Sequence, residues 1–201
     1  SEAAQNIVDY AYNHGVNYFD TAYMYHDGES ESFIGSALKK YPRESYCLTT
    51  KYPVWMADTP EAMRRVIAEQ FEKCQVEYFD FYLMHALNAE KFQKCIKLGV
   101  YEYLQELRKQ GKIRKIGFSF HDTPKVLEAI VKKYPWDVAQ IQLNYLDWEM
   151  QDAKGQYQVL EENGIPCIVM EPVRGGTLAN PCEKANELFR AARPDKSVAS
   201  W

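Results

Sequence analysis

The sequence has no long apolar run and no block of charge of one sign. None of its apolar runs approaches the roughly 20 residues that a helix needs to span a bilayer. Residues 1–4 predict no secretory signal. The formal net charge is −4, and lysine and arginine are scattered along the chain. The sequence therefore predicts neither a membrane nor a nucleic acid as a partner.

Cysteines at metal-binding or redox spacing are absent as well. The five cysteines form no CxxC pair and match no zinc-finger spacing, so no metal site is predicted. Cys47, Cys74 and Cys167 fall inside apolar runs, which is typical of buried thiols. We therefore expect free cysteines in a reducing compartment, the cytoplasm.

What the chain does contain is a repeated alternation of helix, glycine, strand and loop. Periodicity and capping residues predict helices near residues 3–14, 29–40, 60–74, 99–110, 124–133, 150–162 and from 183 onward. Six short strands are predicted at residues 17–20, 46–51, 79–85, 115–119, 137–143 and 165–170. Such alternation implies parallel strands with right-handed crossovers. No Gly/Ser linker interrupts residues 1–201, so we expect one domain of an α/β class. The short strands favour a (β/α)8 TIM barrel that is incomplete, with about six of eight strands.

Three of these strands end in a residue that can do chemistry. Asp20, Lys51 and His85 each sit at or just past the end of an apolar run, and Tyr25 follows five residues after the first. In a barrel, the carboxyl ends of adjacent strands lie side by side and form the active rim. The sequence therefore predicts that these four residues, here called the tetrad, converge on one spot.

The tetrad suits proton transfer to a carbonyl oxygen. A free tyrosine has a pKa near ~10 and is a poor acid at neutral pH. A nearby ammonium stabilises the phenolate and so makes the phenol a better acid. A carboxylate can hold the lysine charged and in place, and an imidazole can orient the substrate oxygen.

The motifs around the tetrad resemble those of the aldo-keto reductase superfamily. Residues 20–25 match its Asp-Thr-Ala-x-x-Tyr signature, and residues 49–51 and 82–85 match its lysine and histidine segments in order and spacing. Glu31 with the following Ile-Gly resembles the first loop and helix of that family. The resemblance covers almost the whole chain.

This resemblance implies an NAD(P)H-dependent oxidoreductase that reduces an aldehyde, ketone or quinone, with Tyr25 as general acid. Asp20 and Lys51 would tune the phenol, and His85 would polarise the carbonyl. NADPH is the expected cofactor and NADH is possible. The residues that correspond to cofactor contacts are Ser119, His121, Gln140, Met170, Glu171, Pro172, Arg174 and Gly175. Met24, Trp55 and the segment 86–98, expected to be loop, would line the substrate pocket.

Some features depart from the family pattern. His121 stands where many members have an asparagine, and Met170 where many stack an aromatic ring on the nicotinamide. The Glu-Pro-x-Arg-Gly-Gly loop at 171–176 resembles a branch whose longer members carry a ferredoxin-like tail. The first and eighth barrel strands would lie before residue 1 and after Trp201, so we expect a fragment truncated at both ends. The contacts that distinguish NADP from NAD would lie in the missing part.

The residues are also compatible with two other hypotheses. A non-catalytic, cofactor-sensing or scaffold protein could use the same fold and would bind cofactor without turnover. A metal-dependent barrel hydrolase could use Asp20, His85 and His121, although the sequence has no His-x-His pair.

Overall fold

Six parallel strands in chain order form one sheet. The computed structural model describes residues 1–201, apart from the side chain of Ala199. Each strand pairs in parallel with the next one along the chain, as the alternation predicts. The strands are β1 (Tyr18–Asp20), β2 (Cys47–Tyr52), β3 (Phe79–Leu87), β4 (Ile113–Phe120), β5 (Val138–Gln142) and β6 (Cys167–Met170).

Helices connect the strands. They are α1 (Glu2–Asn13), α2 (Ser30–Leu38), α3 (Pro60–Cys74), α4 (Ala89–Leu98), α5 (Val100–Lys109), α6 (Pro124–Val131), α7 (Asp147–Met150), α8 (Ala153–Glu162) and α9 (Glu183–Ala192). Short 3₁₀ turns occupy Tyr25–Gly28, Arg43–Ser45, Val54–Met56, Thr177–Ala179 and Val198–Ser200.

The sheet curls so that its two ends approach each other. The Gln140 side chain of β5 donates a hydrogen bond of 3.1 Å to the Asp20 carboxylate of β1, although three strands lie between them. A flat sheet would hold these strands more than ten ångströms apart, because neighbouring strands are spaced about 4.8 Å. The strands therefore form the incomplete barrel that the sequence predicts.

Helix α3 shows how capping residues in the sequence determine where a helix begins and ends. The Thr59 hydroxyl accepts a hydrogen bond of 3.2 Å from the Ala62 backbone N–H, and proline occupies the first helical position. The helix ends at Gln75, which adopts the left-handed conformation. Its buried stripe faces the sheet and consists of Met63, Ile67, Gln70 and Cys74.

Helices α2 and α3 pack with backbone almost touching backbone at Gly35. A Cβ atom at this position would lie 2.4 Å from the Cys74 carbonyl oxygen. Only glycine permits so close an approach. This contact holds α2, and with it the loop that carries Tyr25, against the outside of β2.

The segment after β3 differs from the sequence prediction. Residues 89–98 form helix α4, where we expected a loop, and α5 starts at Val100 after the left-handed Gly99. Phe92, Cys95 and Leu98 give α4 a narrow buried stripe, while most of the other positions of the helix are polar or charged. The predicted helix at 150–162 is likewise two helices, α7 and α8, separated near Asp152.

All five cysteines are free, as expected, but their burial is uneven. Cys74 and Cys95 are buried, Cys47 and Cys167 are only half-buried, and Cys182 is exposed. The expectation of burial is therefore met at Cys74 and too strong at the other two predicted positions. None of the helices described in residues 1–201 has both the length and the apolar character that crossing a bilayer requires.

Candidate active site

The tetrad converges at the carboxyl ends of the first three strands. The buried Lys51 ammonium donates to the Asp20 carboxylate and, over 3.1 Å, to the Tyr25 hydroxyl oxygen. It also donates to the Thr21 carbonyl oxygen over 3.0 Å. The Tyr25 and His85 rings meet edge to face with centroids 5.8 Å apart. The predicted convergence is thus present in the structure.

Lys51 is the buried centre of this arrangement. Its side chain is 1% exposed, and an ammonium can be held in such a place only if it is paired and hydrogen-bonded. Asp20 supplies the opposite charge, and its other carboxylate oxygen accepts from the Gln140 amide. Asp20 therefore links Lys51 to the far side of the curled sheet.

A short strained turn presents Tyr25 to the site. The Tyr25 backbone N–H donates to the Ala22 carbonyl oxygen over 3.1 Å, and the next two residues have positive φ, 52° at His26 and 55° at Asp27. Such values are uncommon in residues with a Cβ atom. The side chain of Tyr25 is 38% exposed, so its hydroxyl can reach a substrate.

His85 is an uncharged imidazole at neutral pH. Burial is the main cause that lowers the pKa of His85 to about 3, and the Lys51 ammonium adds to this effect. His121 and Lys91 lower it further. The Nδ1 atom is buried and has no hydrogen-bond partner among the described residues. Nε2 is therefore the nitrogen that a substrate oxygen can reach.

A β-bulge aims His85. Met84 pairs with Phe118 and Leu87 with Phe120, so β3 has one more residue than β4 between these pairs. The extra residue is Ala86, whose φ of 52° is unusual for alanine. The Ala86 N–H donates to the Ser119 hydroxyl over 2.7 Å, and its carbonyl oxygen accepts from Lys91 over 3.0 Å. Both polar groups of the strained peptide are therefore held by side chains.

A buried polar cluster supports Lys51 from behind the sheet. The Gln70 amide donates to Glu31 over 2.6 Å and to the Lys51 carbonyl oxygen over 3.1 Å. Glu31 is fully buried, and burial raises the pKa of its carboxyl group despite the hydrogen bonds from Thr50 and Gln70. This cluster ties α2 and α3 to the strand that carries Lys51.

The residues expected to contact a cofactor fall on the last three strands and the loop after β6. Ser119 and Gln140 are buried on β4 and β5, and Met170 ends β6. The Oε1 atom of Gln140 is buried without a partner among the described residues, so it is an acceptor that lacks a donor. His121 follows β4 directly, and burial and the Lys91 charge lower the pKa of its imidazole.

The loop after β6 is fixed by a cluster that the sequence did not reveal. The buried Asp147 carboxylate lies 3.4 Å from the Arg174 guanidinium and accepts a short hydrogen bond from Asn144. The Asn144 amide also donates to the Glu171 carbonyl oxygen over 2.9 Å. Burial acts to raise the pKa of Asp147, but its hydrogen bonds and Arg174 lower it overall. Pro172 and Gly175 lie in this loop, with φ of 62° at Gly175.

The residues expected at the substrate pocket lie on the exposed side of the tetrad. Trp55 is 41% exposed and its ring centroid lies 5.2 Å from that of His85. Met24 is 46% exposed next to Tyr25. The segment 86–98 contributes a bulge and a helix there, not a loop. Lys91 of α4, which the sequence analysis did not single out, lies 5.4 Å from the Trp55 ring.

Two other features of the structure bear on the choice of chemistry. No group of three or more His, Cys, Asp or Glu side chains that could hold a metal is found in the described part of the chain. Asp20 is engaged by Lys51 and Gln140 instead.

A cavity of about 660 Å³ opens between the loops after β5 and β6, but no tetrad residue lines it. Apolar side chains such as Trp148, Val173 and Trp201 form its wall.

A curled parallel sheet with Asp, Tyr, Lys and His on one rim defines a β/α-barrel protein with four polar side chains gathered at the carboxyl ends of its strands. The chain belongs to the aldo/keto reductase family, whose sequence model matches residues 1–199.

Individual relatives agree with this assignment. The NADH-specific methylglyoxal reductase of Escherichia coli strain K12 is 31% identical over 185 residues, which cover 84% of this chain and 56% of the relative. The L-galactose dehydrogenase of Arabidopsis thaliana is 25% identical over 94% of this chain and 60% of its own length. The chain thus spans somewhat more than half the length of these relatives. The aldo-keto reductase AKR11C1 from Bacillus halodurans superposes with a TM-score of 0.74 and 25% identity, covering 97% of this chain and 68% of that structure.

Proposed function

We propose that this chain carries the active-site part of an NAD(P)H-dependent carbonyl reductase with Tyr25 as general acid. The observation that carries the proposal is the fully buried Lys51 ammonium, which contacts the Tyr25 hydroxyl and the Asp20 carboxylate at once. A buried ammonium aimed at a phenol oxygen has an evident chemical use, since it stabilises the phenolate that proton donation leaves behind.

The proton path involves three side chains. Tyr25 donates its hydroxyl proton to the carbonyl oxygen of the substrate as that oxygen gains negative charge. Lys51 stays protonated and stabilises the resulting phenolate, while Asp20 balances the charge of Lys51. His85, neutral at pH 7, offers Nε2–H as a hydrogen-bond donor to the same carbonyl oxygen and so orients it.

The residues present fit a nicotinamide cofactor, which supplies the hydride when it is bound. The orphaned Oε1 of Gln140 can accept from a carboxamide N–H group. The Ser119 hydroxyl accepts from Ala86, and no acceptor for its own proton is found in the described structure, so it can donate to a carboxamide oxygen. Arg174 is one-third exposed and is held by Asp147, which suits contact with a phosphate. Gly175 and Gly176 have open space where a Cβ atom would be.

NADPH is the proposed cofactor, with NADH as the alternative. The relative from Escherichia coli is named as NADH-specific, so kinetics must decide between the two. The proposed substrates are small aldehydes, ketones or quinones. This fits the exposed apolar surface of Met24 and Trp55 beside the tetrad.

The test is the oxidation of NADPH and NADH, followed at 340 nm, with a panel of small carbonyls. Where the gene encodes a longer product, that product is assayed beside the chain. Carbonyl-dependent consumption of cofactor supports the proposal. Saturable cofactor binding without turnover on any carbonyl would instead indicate the non-catalytic, cofactor-sensing alternative.

A further inference from the structure

Lys91 is a positioned cation close to the tetrad. It lies in the first turn of α4, where the Asn88 side chain accepts from its backbone N–H over 2.8 Å. Its ammonium donates to the Ala86 carbonyl oxygen over 3.0 Å and is half-buried. This hydrogen bond uses one of three N–H donors, so two remain for a ligand.

The charge of Lys91 has no carboxylate partner within 4.0 Å among the described residues. Lys94, one turn further along α4, is paired with Asp58 at 2.7 Å. Asp122, two residues past the end of β4, accepts from the backbone N–H groups of Ala89 and Thr123 instead. Lys91 thus contributes a positive charge without a salt-bridge partner among the described residues to the mouth of the site.

Trp55 connects Lys91 to the reacting groups. The Lys91 ammonium lies 5.4 Å from the Trp55 ring, and that ring lies 5.2 Å from the His85 ring. Trp55 is 41% exposed and lies beside both groups, so its indole offers apolar surface on which the carbon skeleton of a substrate can rest. A carbonyl oxygen at His85 would place the far end of such a skeleton toward Lys91.

We propose that Lys91 binds an anionic group of the substrate, so that the preferred carbonyls are aldehydes or ketones that carry a carboxylate. The proposal rests on the proposed function, because it takes the tetrad as the place where the carbonyl binds. Lys91 would act on specificity, through a charge-assisted hydrogen bond to the carboxylate.

The test compares two substrates that differ in charge, 4-carboxybenzaldehyde and its methyl ester. Lys91→Met keeps the aliphatic stem of the side chain and removes the charge. Its expected effect is a loss in kcat/KM that is roughly 10-fold or more greater for the carboxylate than for the ester, because a hydrogen bond between charged groups is lost only with the carboxylate. A smaller loss shared by both substrates is expected from the missing hydrogen bond to the Ala86 carbonyl oxygen. Lys91→Arg retains the charge and should keep most of the preference.

Lys97→Met is the matched control, since Lys97 lies on the same helix, is exposed and is removed from the site. It should leave both substrates unchanged. An equal loss on both substrates in Lys91→Met would overturn the proposal, because it would mean that Lys91 acts only by holding the Ala86 bulge. Equal wild-type rates on the two substrates would overturn it as well.

A binding measurement separates this inference from the proposed function. Isothermal titration calorimetry of the protein with the acid and with the ester needs no turnover. Preferential binding of the acid that Lys91→Met abolishes, in a protein that turns over no carbonyl of the panel with either cofactor, would support the anionic subsite and refute the reductase. Turnover of carbonyls with no preference for the acid in rate or binding would refute the subsite and leave the reductase standing.

Discussion

Removal of the Tyr25 hydroxyl gives the sharpest test of the proposed chemistry. Tyr25→Phe keeps the ring, and with it the edge-to-face contact with His85 and the contact of Lys51 with the ring. Lys51 keeps its bonds to Asp20 and to the Thr21 carbonyl oxygen, so the buried charge remains paired. The variant therefore loses one hydrogen bond at a partly exposed position, and its fold should be stable.

The rate should fall much further than the stability. General acid catalysis contributes typically ~10²–10⁴-fold, which corresponds to about 3–5 kcal/mol of transition-state stabilisation. The lost hydrogen bond should lower the free energy of unfolding by only about 1 kcal/mol. Carbonyl-dependent NADPH oxidation measures the first quantity, and urea denaturation followed by fluorescence measures the second.

Tyr23→Phe is the control for this experiment. Tyr23 lies in the same loop, and its hydroxyl donates to Glu69 over 3.1 Å, away from Lys51. Loss of that hydroxyl should leave the rate within about twofold. A Tyr25→Phe protein that turns over carbonyls as fast as the wild type would show that Tyr25 is not the acid. An equal loss in both variants would point to a disturbed loop.

Four further outcomes follow from the same structure. Lys51→Met should lower the rate by about as much as Tyr25→Phe. The double variant should be little slower than either single variant, because the effects of residues that act as a unit are not additive. Rate losses that multiply in single-turnover kinetics would refute this coupling. The pKa of His85 is depressed to about 3 in the folded state, against an unfolded value near 6.5, so its contribution to stability is present above pH 6.5 and is lost as the pH falls toward 3. The wild type should lose about 2 kcal/mol more than His85→Gln between pH 7 and pH 5 in urea titrations, and equal slopes would contradict the buried neutral imidazole. Gly35→Ala should lower the free energy of unfolding by about 1–3 kcal/mol, since its Cβ would meet the Cys74 carbonyl oxygen at 2.4 Å. Gly155→Ala, whose Cβ would meet side-chain and not backbone atoms, is the comparison, and an equal or smaller loss at Gly35 would disprove the tight contact. The strands β1 and β6 have no second partner among residues 1–201, so the chain should associate with rising concentration in light scattering; a monomer across the whole range would refute this.

The strands and the tetrad could be predicted because their signals are local. Each strand is an apolar run bounded by turn residues, and parallel pairing in chain order follows from the alternation with helices. Asp20, Lys51 and His85 then share one rim for topological reasons, whatever their side chains do. The sequence could not give the hydrogen bond between Gln140 and Asp20, because its two ends are 120 residues apart.

Helix α4 was missed because its apolar stripe is narrow. Only Phe92, Cys95 and Leu98 are buried, and most other positions are charged or carry a side-chain amide. The segment therefore has the composition of a loop. The N-cap residue Asn88 was a usable signal, since its side chain accepts from the backbone N–H three residues on. Because the helix was missed, Lys91 was missed as well: its side chain has a fixed direction only if residues 89–98 are helical.

The Ala86 bulge was beyond sequence reasoning altogether, and it bears directly on how the site works. Left-handed backbone is expected at glycine or asparagine, so an alanine at φ 52° gives no warning. What holds it there are the Ser119 hydroxyl on its N–H and the Lys91 ammonium on its carbonyl oxygen. Ser119 is also a proposed cofactor contact, and Lys91 is a proposed substrate contact. Because both bond to Ala86, the residue after His85, a ligand on either side chain would act one residue away from the imidazole that is proposed to orient the carbonyl. We infer that the strain at Ala86 is the means by which β3 places His85 between the proposed cofactor contact Ser119 and the proposed substrate contact Lys91.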